Sequence, residues 1–374
     1  MRWTEGWSGR QAGRVPQNTL RRSWFALRDA RTVTTTPAPA EVQRFHAGLP
    51  DYAPTPLVGL PELARELGVG RVFVKDESGR LGLPAFKALG ASWAVHRVLS
   101  AREPGAEVRL VTATDGNHGR ALARMARLFG QRAHVFVPRG VHPAAVAAIA
   151  DEGATVTEVA GDYDDAVRRA DAAAAEPGSV LVQDMGWPGY EEIPGWIVEG
   201  YSTLFTEIEA QLAGVGVDAP DLVAVPVGVG SLAQAAVTHY RAQPGGPALL
   251  SVEPEAAACV LESLREQRPV TVTTGVTTMA GLNCGTPSSL AWPFLRDGLD
   301  AAVAVSDEDS ARAARDLARL GVSSGPCGAA SLAGLRAVLA DPDSRSALGV
   351  GPTATVVLLS TEGVRANPHG ENQV

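Results

Sequence analysis

From about residue 51 the chain alternates between two hydrophobic periods. Short apolar runs of the buried-strand kind are VRLVTAT (108–114), AHVFVP (133–138), ATVTEV (154–159) and SVLVQD (179–184). Between them lie stretches with apolar residues at helical spacing: HGRALARMARLFG, ended by Gly130, then HPAAVAAIADEG and DYDDAVRRADAAAAE. LPELAREL, ahead of these, reads as a short amphipathic helix. A long helical stretch at 190–213 introduces a second series. It runs strand DLVAVPV, helix SLAQAAVTHYRA, strand ALLSVEP, helix 255–266, strand AAVAVS, helix DEDSARAARDLARLG and strand TATVVLLS. VTVTTGVTTMAGLNCGTPSS interrupts it as a turn-rich segment. Strand–helix alternation with short connections predicts an α/β protein of two units, each an open, mostly parallel twisted sheet flanked by helices. The cleft between the units is the expected ligand site. Residues 1–40 end in TVTTTPAPA, lack either period, and are expected to form an irregular, flexible lead-in.

One helix start breaks the electrostatic rule. PAFKALGASW (84–93) has Pro84 to set the entry angle and good helix formers after it, which puts Lys87 in the first turn, where the helix dipole disfavours a cation. Composition sharpens the anomaly. Of 33 basic residues only two are lysine, Lys75 and Lys87, so 31 are arginine. Wherever a solvated cation suffices this chain uses Arg, and the two lysines are candidates for sites needing an amine that can lose its proton and attack a carbonyl. Lys75, in RVFVKDES, also has a structural reading, as an ion pair with Asp76 or Glu77.

The net charge of −8 and pI near 5.5 give no basic patch for nucleic acid. No apolar run is long enough to span a bilayer, and the N-terminus lacks a signal-peptide core. Cys259, Cys284 and Cys327 are spaced too widely for a metal knuckle or a disulfide framework, which predicts no metal and a reducing cytoplasm.

Three segments carry chemistry. PVGVGSLAQAA (226–236) is a glycine turn between strand and helix, an anion cradle suited to phosphate. Gly228-x-Gly230-x-x-Ala233 also resembles a dinucleotide fingerprint, with Glu253 standing 25 residues on, so a nicotinamide oxidoreductase is a rival. TATDGNHGRALA (112–123) places Asp115, Asn117 and His118 in a loop at a strand end. Asp115 suits an acid, base or cation anchor and Asn117 an oxygen contact, whereas Asp-Gly-Asn is also an ordinary turn and His118 is expected on the surface at the helix start. QDMGWPGYEEIPGWIVEGYSTL (183–204) sets Asp184 beside Trp187, Tyr190, Trp196 and Tyr201, either a pocket wall for an amino group or interdomain packing. An amine at a helix start, a phosphate cradle and an oxygen-binding Asn together describe pyridoxal 5′-phosphate (PLP); low-dielectric, dipole-positive surroundings are expected to depress the Lys87 pKa, and a nicotinamide enzyme has no use for Lys87.

In order along the chain stand VKDES-x-RLGL-x-AFKALG (74–90), ATDGNHGRA (113–121), QDMGWPGYEEIPGWIVEGY (183–201), GVGSLA (228–233), VEP (252–254), TTMAGLNCGTPS (277–288) and LLSTEG (358–363). With these, about 310 residues resemble the fold type II PLP enzymes, the tryptophan-synthase-β and threonine-dehydratase group, and most of all their diaminopropionate ammonia-lyase branch. The resemblance implies a large PLP-binding domain over 41–90 and 200–374, a smaller α/β domain over 91–199, and a homodimer. It implies Lys87 as the Schiff-base lysine, Asn117 as the contact to the ring oxygen, and Gly228, Val229, Gly230, Ser231 and Leu232 as the phosphate loop. Ser360, with Thr361 as fallback, is expected to face the pyridine nitrogen; a hydroxyl there leaves the ring unprotonated, which favours β-elimination over transamination. Lys87 or Asp115 then removes the α-proton of 2,3-diaminopropionate, and Asp115 or Asp184 assists the leaving ammonia, giving pyruvate. SSGPCGAAS (323–331) departs from the family's Ser-Gly-Glu-Ser-Gly at Pro326 and Cys327, so elimination or replacement on another β-substituted amino acid is the alternative.

Overall fold

The computed structural model describes residues 24–26 and 30–366. Its strands are β1 (Trp24–Ala26), β2 (Leu57–Gly59), β3 (Arg71–Asp76), β4 (Arg109–Ala113), β5 (Arg132–Pro138), β6 (Thr155–Val159), β7 (Ser179–Leu181), β8 (Leu222–Pro226), β9 (Ala248–Pro254), β10 (Ala301–Val305) and β11 (Thr355–Ser360). They form a seven-stranded sheet, β1-β10-β9-β8-β11-β3-β2, and a four-stranded sheet, β6-β5-β4-β7. Every pairing is parallel except at the two edges of the larger sheet, where β1 and β2 run antiparallel. Strands β8 to β11 are buried at every position, which is why they read as unbroken apolar runs: helices cover both faces.

Three local departures from the sequence reading have physical causes. Trp24–Ala26, inside the expected lead-in, pairs with β10, and Arg31 bonds Asp300 at 2.8 Å, so that segment is anchored to the large sheet. SVLVQD stops being strand at Leu181, because the Gln183 side chain takes over the ladder: its Oε1 accepts from Ala113 N at 3.0 Å and Thr112 Oγ1 at 2.9 Å. The chain then turns away at Asp184. Pro326–Ala340 is a helix where no helix was expected; buried on nearly all sides, it has no polar face to set a period.

The two sheets are joined by helices Lys87–Ser100 and Glu192–Ala213, and the expected divisions at 90/91 and 199/200 fall inside these helices. One hydrophobic cluster runs unbroken from Leu122 and Val135 through Leu89 and Tyr201 to Val225 and Leu359. At the crossing the backbones touch. A Cβ on Gly200 would lie 2.6 Å from Leu89 O and 2.8 Å from Gly90 Cα; one on Gly90 would lie 2.6 Å from Tyr201.

Lys75 pairs with neither Asp76 nor Glu77. Its Nζ donates to Glu207 Oε2 at 2.6 Å, Thr55 O at 2.8 Å and Gln211 Oε1 at 2.9 Å. Arg80 occupies Glu77 through two bonds of 2.8 and 2.7 Å and also reaches Glu207, so Lys75 turns to the long helix instead. These four charges are buried and balance one another, clamping the end of β3 to helix Glu192–Ala213.

Gly200→Ala should lower stability by about 1–3 kcal/mol, because backbone on both sides cannot yield. Denaturant unfolding measures it, and an unchanged midpoint would show that the helices are free to move apart.

Candidate active site

The segment before Lys87 is held from outside its own helix. Phe86 N donates to Thr361 O at 3.2 Å and Gly363 N to Pro84 O at 2.9 Å, so the helix start is fastened to the chain just past β11. Lys87 is the first residue of the helix, as its entry sequence predicts. Its ammonium lies 2.6 Å from Asp184 Oδ2, with the rings of Phe86 and Tyr201 at 5.2 and 5.9 Å. The sequence suggested that low-dielectric, dipole-positive surroundings would depress this lysine. The structure reverses the sign: burial acts in that direction, but the Asp184 carboxylate outweighs it and holds the Lys87 pKa above its ordinary value. Burial likewise opposes ionisation of Asp184, yet in the acid range where it would titrate, a protonated His118 and the Lys87 ammonium hold its carboxyl well below the usual carboxylate range.

Asp184 faces a second way. Its backbone carbonyl accepts from Ser231 Oγ at 2.8 Å, and Ser231 opens the helix Ser231–Tyr240 behind β8. Lysine and glycine turn, 144 residues apart, therefore meet across one residue. The turn is cramped: Gly230 has φ +102°, and a Cβ there would meet Leu295 at 2.5 Å. A Cβ on Gly228 would meet Cys284 Sγ at 3.0 Å and Gly281 O at 3.2 Å. The N–H groups of the first turn, around Ser231, Leu232 and Ala233, have no partner within their own helix, whose bonding begins with Gln234 N to Gly230 O at 2.8 Å. Val229 O is fixed by Ser288 N at 2.9 Å, leaving the turn's N–H side to a ligand.

The loop after β4 completes the group. Asp115 is pushed up to about 6, by burial first and by Asp184. Asn117 Nδ2 donates to Glu362 Oε2 at 2.6 Å. His118, expected on the surface, is buried, with Nε2 2.8 Å from Val182 O. Ser360 ends β11 fully buried, its Oγ donating to Ser324 Oγ at 2.8 Å beside Gly328, where a Cβ would lie 3.0 Å from that hydroxyl. Cys327 is buried beneath, its thiol raised well above the ordinary range by burial and Glu362. Asp115, Asp184 and Ser231 follow soon after the ends of β4, β7 and β8, and Ser360 ends β11, so both sheets contribute.

The profile of the family described as pyridoxal-phosphate dependent enzyme matches residues 49–362. The chain belongs to that family. It is 37% identical over 356 residues to the diaminopropionate ammonia-lyase of Salmonella typhimurium, covering 86% of this chain and 88% of the relative. The crystal structure of diaminopropionate ammonia-lyase from Escherichia coli in complex with D-serine superposes with TM-score 0.82 at 33% identity, over 91% of this chain and 94% of that one. L-threonine ammonia-lyase of Geobacter sulfurreducens is 28% identical over 261 residues, 69% of this chain and 60% of the relative.

The cofactor is pyridoxal 5′-phosphate, and the residues present fit it: an amine, an anion cradle a few residues wide, an amide with a second N–H, and a buried hydroxyl. The dinucleotide rival fails on Glu253. Its carboxylate accepts from Val260 N and Leu261 N at 2.7 Å each and, pushed up to about 8 by burial, caps its own neighbouring helix instead of facing a ribose. Of the four aromatics in 183–204 only Tyr201 faces Lys87; Tyr190 bonds Gln183 N and Leu181 O and stacks on Trp187, and Trp196 packs on Arg97. Tyr163, Cys284, Ser324 and Glu362 were missed as site residues. Tyr163 accepts from Gln183 Nε2 at 2.8 Å and feels Asp184 and Asp115. Cys284 and Glu362 lie inside the family motifs, which was the available signal; Tyr163 sat unremarked in a helix.

The two lysines should separate cleanly. Lys87→Ala should abolish the visible absorption of added cofactor without unfolding the chain. Lys75→Met should keep the absorption and lower stability by roughly 3–5 kcal/mol, since Glu207 loses its amine. Absorption spectra and denaturant unfolding on both variants check it.

Proposed function

We propose that this chain is a PLP-dependent carbon–nitrogen lyase that eliminates ammonia from 2,3-diaminopropionate to give pyruvate and ammonia. The observation that carries the reading is the pair of carboxylates, Asp184 at 2.6 Å from the Lys87 amine and Asp115 beside them, around the one lysine at the glycine turn. A substrate with a second ammonium asks for a second carboxylate, and the likeness to diaminopropionate ammonia-lyases supports the same assignment.

Bound cofactor supplies an aldehyde for the substrate amine and a ring that withdraws electrons from Cα. Lys87 would provide the amine that holds it; Val229 to Leu232 would bind the phosphate through backbone N–H groups, with Gly228 and Gly230 allowing close approach. Asn117 keeps one Nδ2 hydrogen on Glu362, which would leave the other for the ring oxygen, and Ser360 would serve the ring nitrogen. Asp184, ionised, holds the β-ammonium. Asp115, poised near neutral pH, exchanges protons at Cα and the leaving nitrogen, with Lys87 as the second base. The domains are 41–90 with 200–374, the large cofactor-binding one, and 91–199, the smaller, in line with the strand membership of the two sheets. A homodimer in the cytoplasm completes the proposal, supported by the family resemblance and by three free cysteines; among the described residues no helix is long and apolar enough to cross a membrane.

Pyruvate release from diaminopropionate, serine and threonine tests the substrate. Diaminopropionate should exceed serine in kcat/KM by at least about 100-fold, because a buried charged group left without its partner costs about 3 kcal/mol. Equal rates would favour the alternative motivated by Pro326 and Cys327, a lyase or β-replacement enzyme for other β-substituted amino acids. Asp115 must be ionised to accept a proton, so kcat/KM should fall about tenfold per pH unit below about 6. Asp115→Asn should remove that acid limb along with most of the activity.

A further inference from the structure

His118 is the second residue of helix Asn117–Leu128 and only 4% exposed. Its Nε2 is 2.8 Å from the Val182 carbonyl oxygen, which can only accept, so Nε2 carries the hydrogen and Nδ1 of the neutral ring is a bare lone pair. Nδ1 has no hydrogen-bond partner among the described residues. It lies 3.8 Å from Asp184 Oδ2, the oxygen that also receives Lys87. The helix start that carries the ring is held in place: Thr114 Oγ1 accepts from Gly116 N and Gly119 N at 3.0 and 3.2 Å, and a Cβ on Gly119 would stand 2.2 Å from Thr114. A buried lone pair aimed at a carboxylate is repulsive until a proton stands between them.

We propose that His118 Nδ1 receives, through Asp184 Oδ2, the proton that the Lys87 ammonium must lose before its amine can bond the cofactor aldehyde. This rests on Lys87 being the cofactor lysine. An ammonium has no lone pair to attack with, and Asp184 makes this one hard to deprotonate. In the transfer one N–H bond of Lys87 breaks, Asp184 accepts and passes on that proton, and one N–H bond forms at Nδ1; no electrons change hands. Lys87 becomes a neutral amine, Asp184 remains a carboxylate and His118 becomes an imidazolium, so the net charge of the three does not change. Asp184 thereby keeps a cationic neighbour after Lys87 has ceased to be one.

The surroundings favour the exchange. With Lys87 charged, burial and the Lys87 cation both disfavour an imidazolium while Asp184 favours it; deprotonating Lys87 removes one of the two opposing influences. Among the described residues the other titratable groups around Lys87 and Asp184 are Asp115, Tyr163, Tyr190, Tyr201 and Cys284. Burial raises the three phenols and the thiol, Cys284 to about 12, so they stay neutral near pH 7. Asp115 faces Lys87 and Asp184 from the loop after β4 and adds negative charge that stabilises either cation. Acting through Asp184, His118 is a positioning residue.

Nitrogen NMR on full-length protein labelled at histidine, with His118 identified by its loss in His118→Asn, reads the proton directly. Near neutral pH the cofactor-free protein should show His118 neutral with hydrogen on Nε2, and the loaded protein should show both nitrogens protonated. A neutral ring in both forms overturns the proposal. His118→Asn retains a donor for Val182 O but cannot take the proton. It should acquire the visible band at least about tenfold more slowly than wild type near neutral pH, with a rate rising about tenfold per pH unit where wild type changes less. Equal rates with equal pH slopes overturn the proposal. Wild-type protein that never develops the band fails the functional reading itself, a result distinct from either.

Discussion

An ammonium at the positive end of a helix dipole, answered by one carboxylate, is the interaction on which this molecule's chemistry depends. A cation in the first turn of a helix costs about 0.3–1 kcal/mol, and burial adds to that. Asp184 at 2.6 Å reverses the balance. Asp184 is in place because Gln183 spends its side chain on the sheet edge and ends β7 early, and because Ser231 holds the Asp184 carbonyl. One residue thus joins the amine to the anion cradle. In the function proposed above, the same carboxylate answers the Lys87 ammonium in the resting site and a substrate ammonium in the working one.

The rest of the fold makes that meeting rigid. The amine comes from one helix, the two carboxylates from the small sheet, and the cradle and Ser360 from the large one. Contact between Gly90 and Gly200 lets the connecting helices approach to backbone distance, and the four-charge clamp of Lys75, Glu77, Arg80 and Glu207 ties the strand before Lys87 to the same helix. This explains the lysine count. Lys75 sets a compact ammonium among three acceptors, and position 87, in the proposed function, calls for an amine that can act as a nucleophile.

What the sequence revealed follows from what local patterns encode. Strand–helix alternation fixed the two sheets, since a strand buried on both faces must be continuously apolar, and the glycine turn and the lysine stood out by type. Helix Pro326–Ala340 was hidden because burial on all sides erases amphipathic period. Partners were hidden because they are tertiary: Lys75 finds Glu207 at a separation of 132 residues and not its neighbours, and Lys87 finds Asp184 at 97. The sign of the Lys87 shift is hidden for that reason, burial being inferable from sequence and a distant carboxylate not. His118 reads as surface from the sequence because its partner, the Val182 carbonyl, is 64 residues away.

The central claim is that the amine of Lys87 and the cofactor aldehyde share a bond. Borohydride reduction of the cofactor-loaded protein, followed by digestion and mass mapping, tests it with little ambiguity in a chain with two lysines. The account predicts one reduced pyridoxyl adduct, on the peptide carrying Lys87. An adduct on Lys75, or no lysine adduct in protein that binds the cofactor, would contradict it.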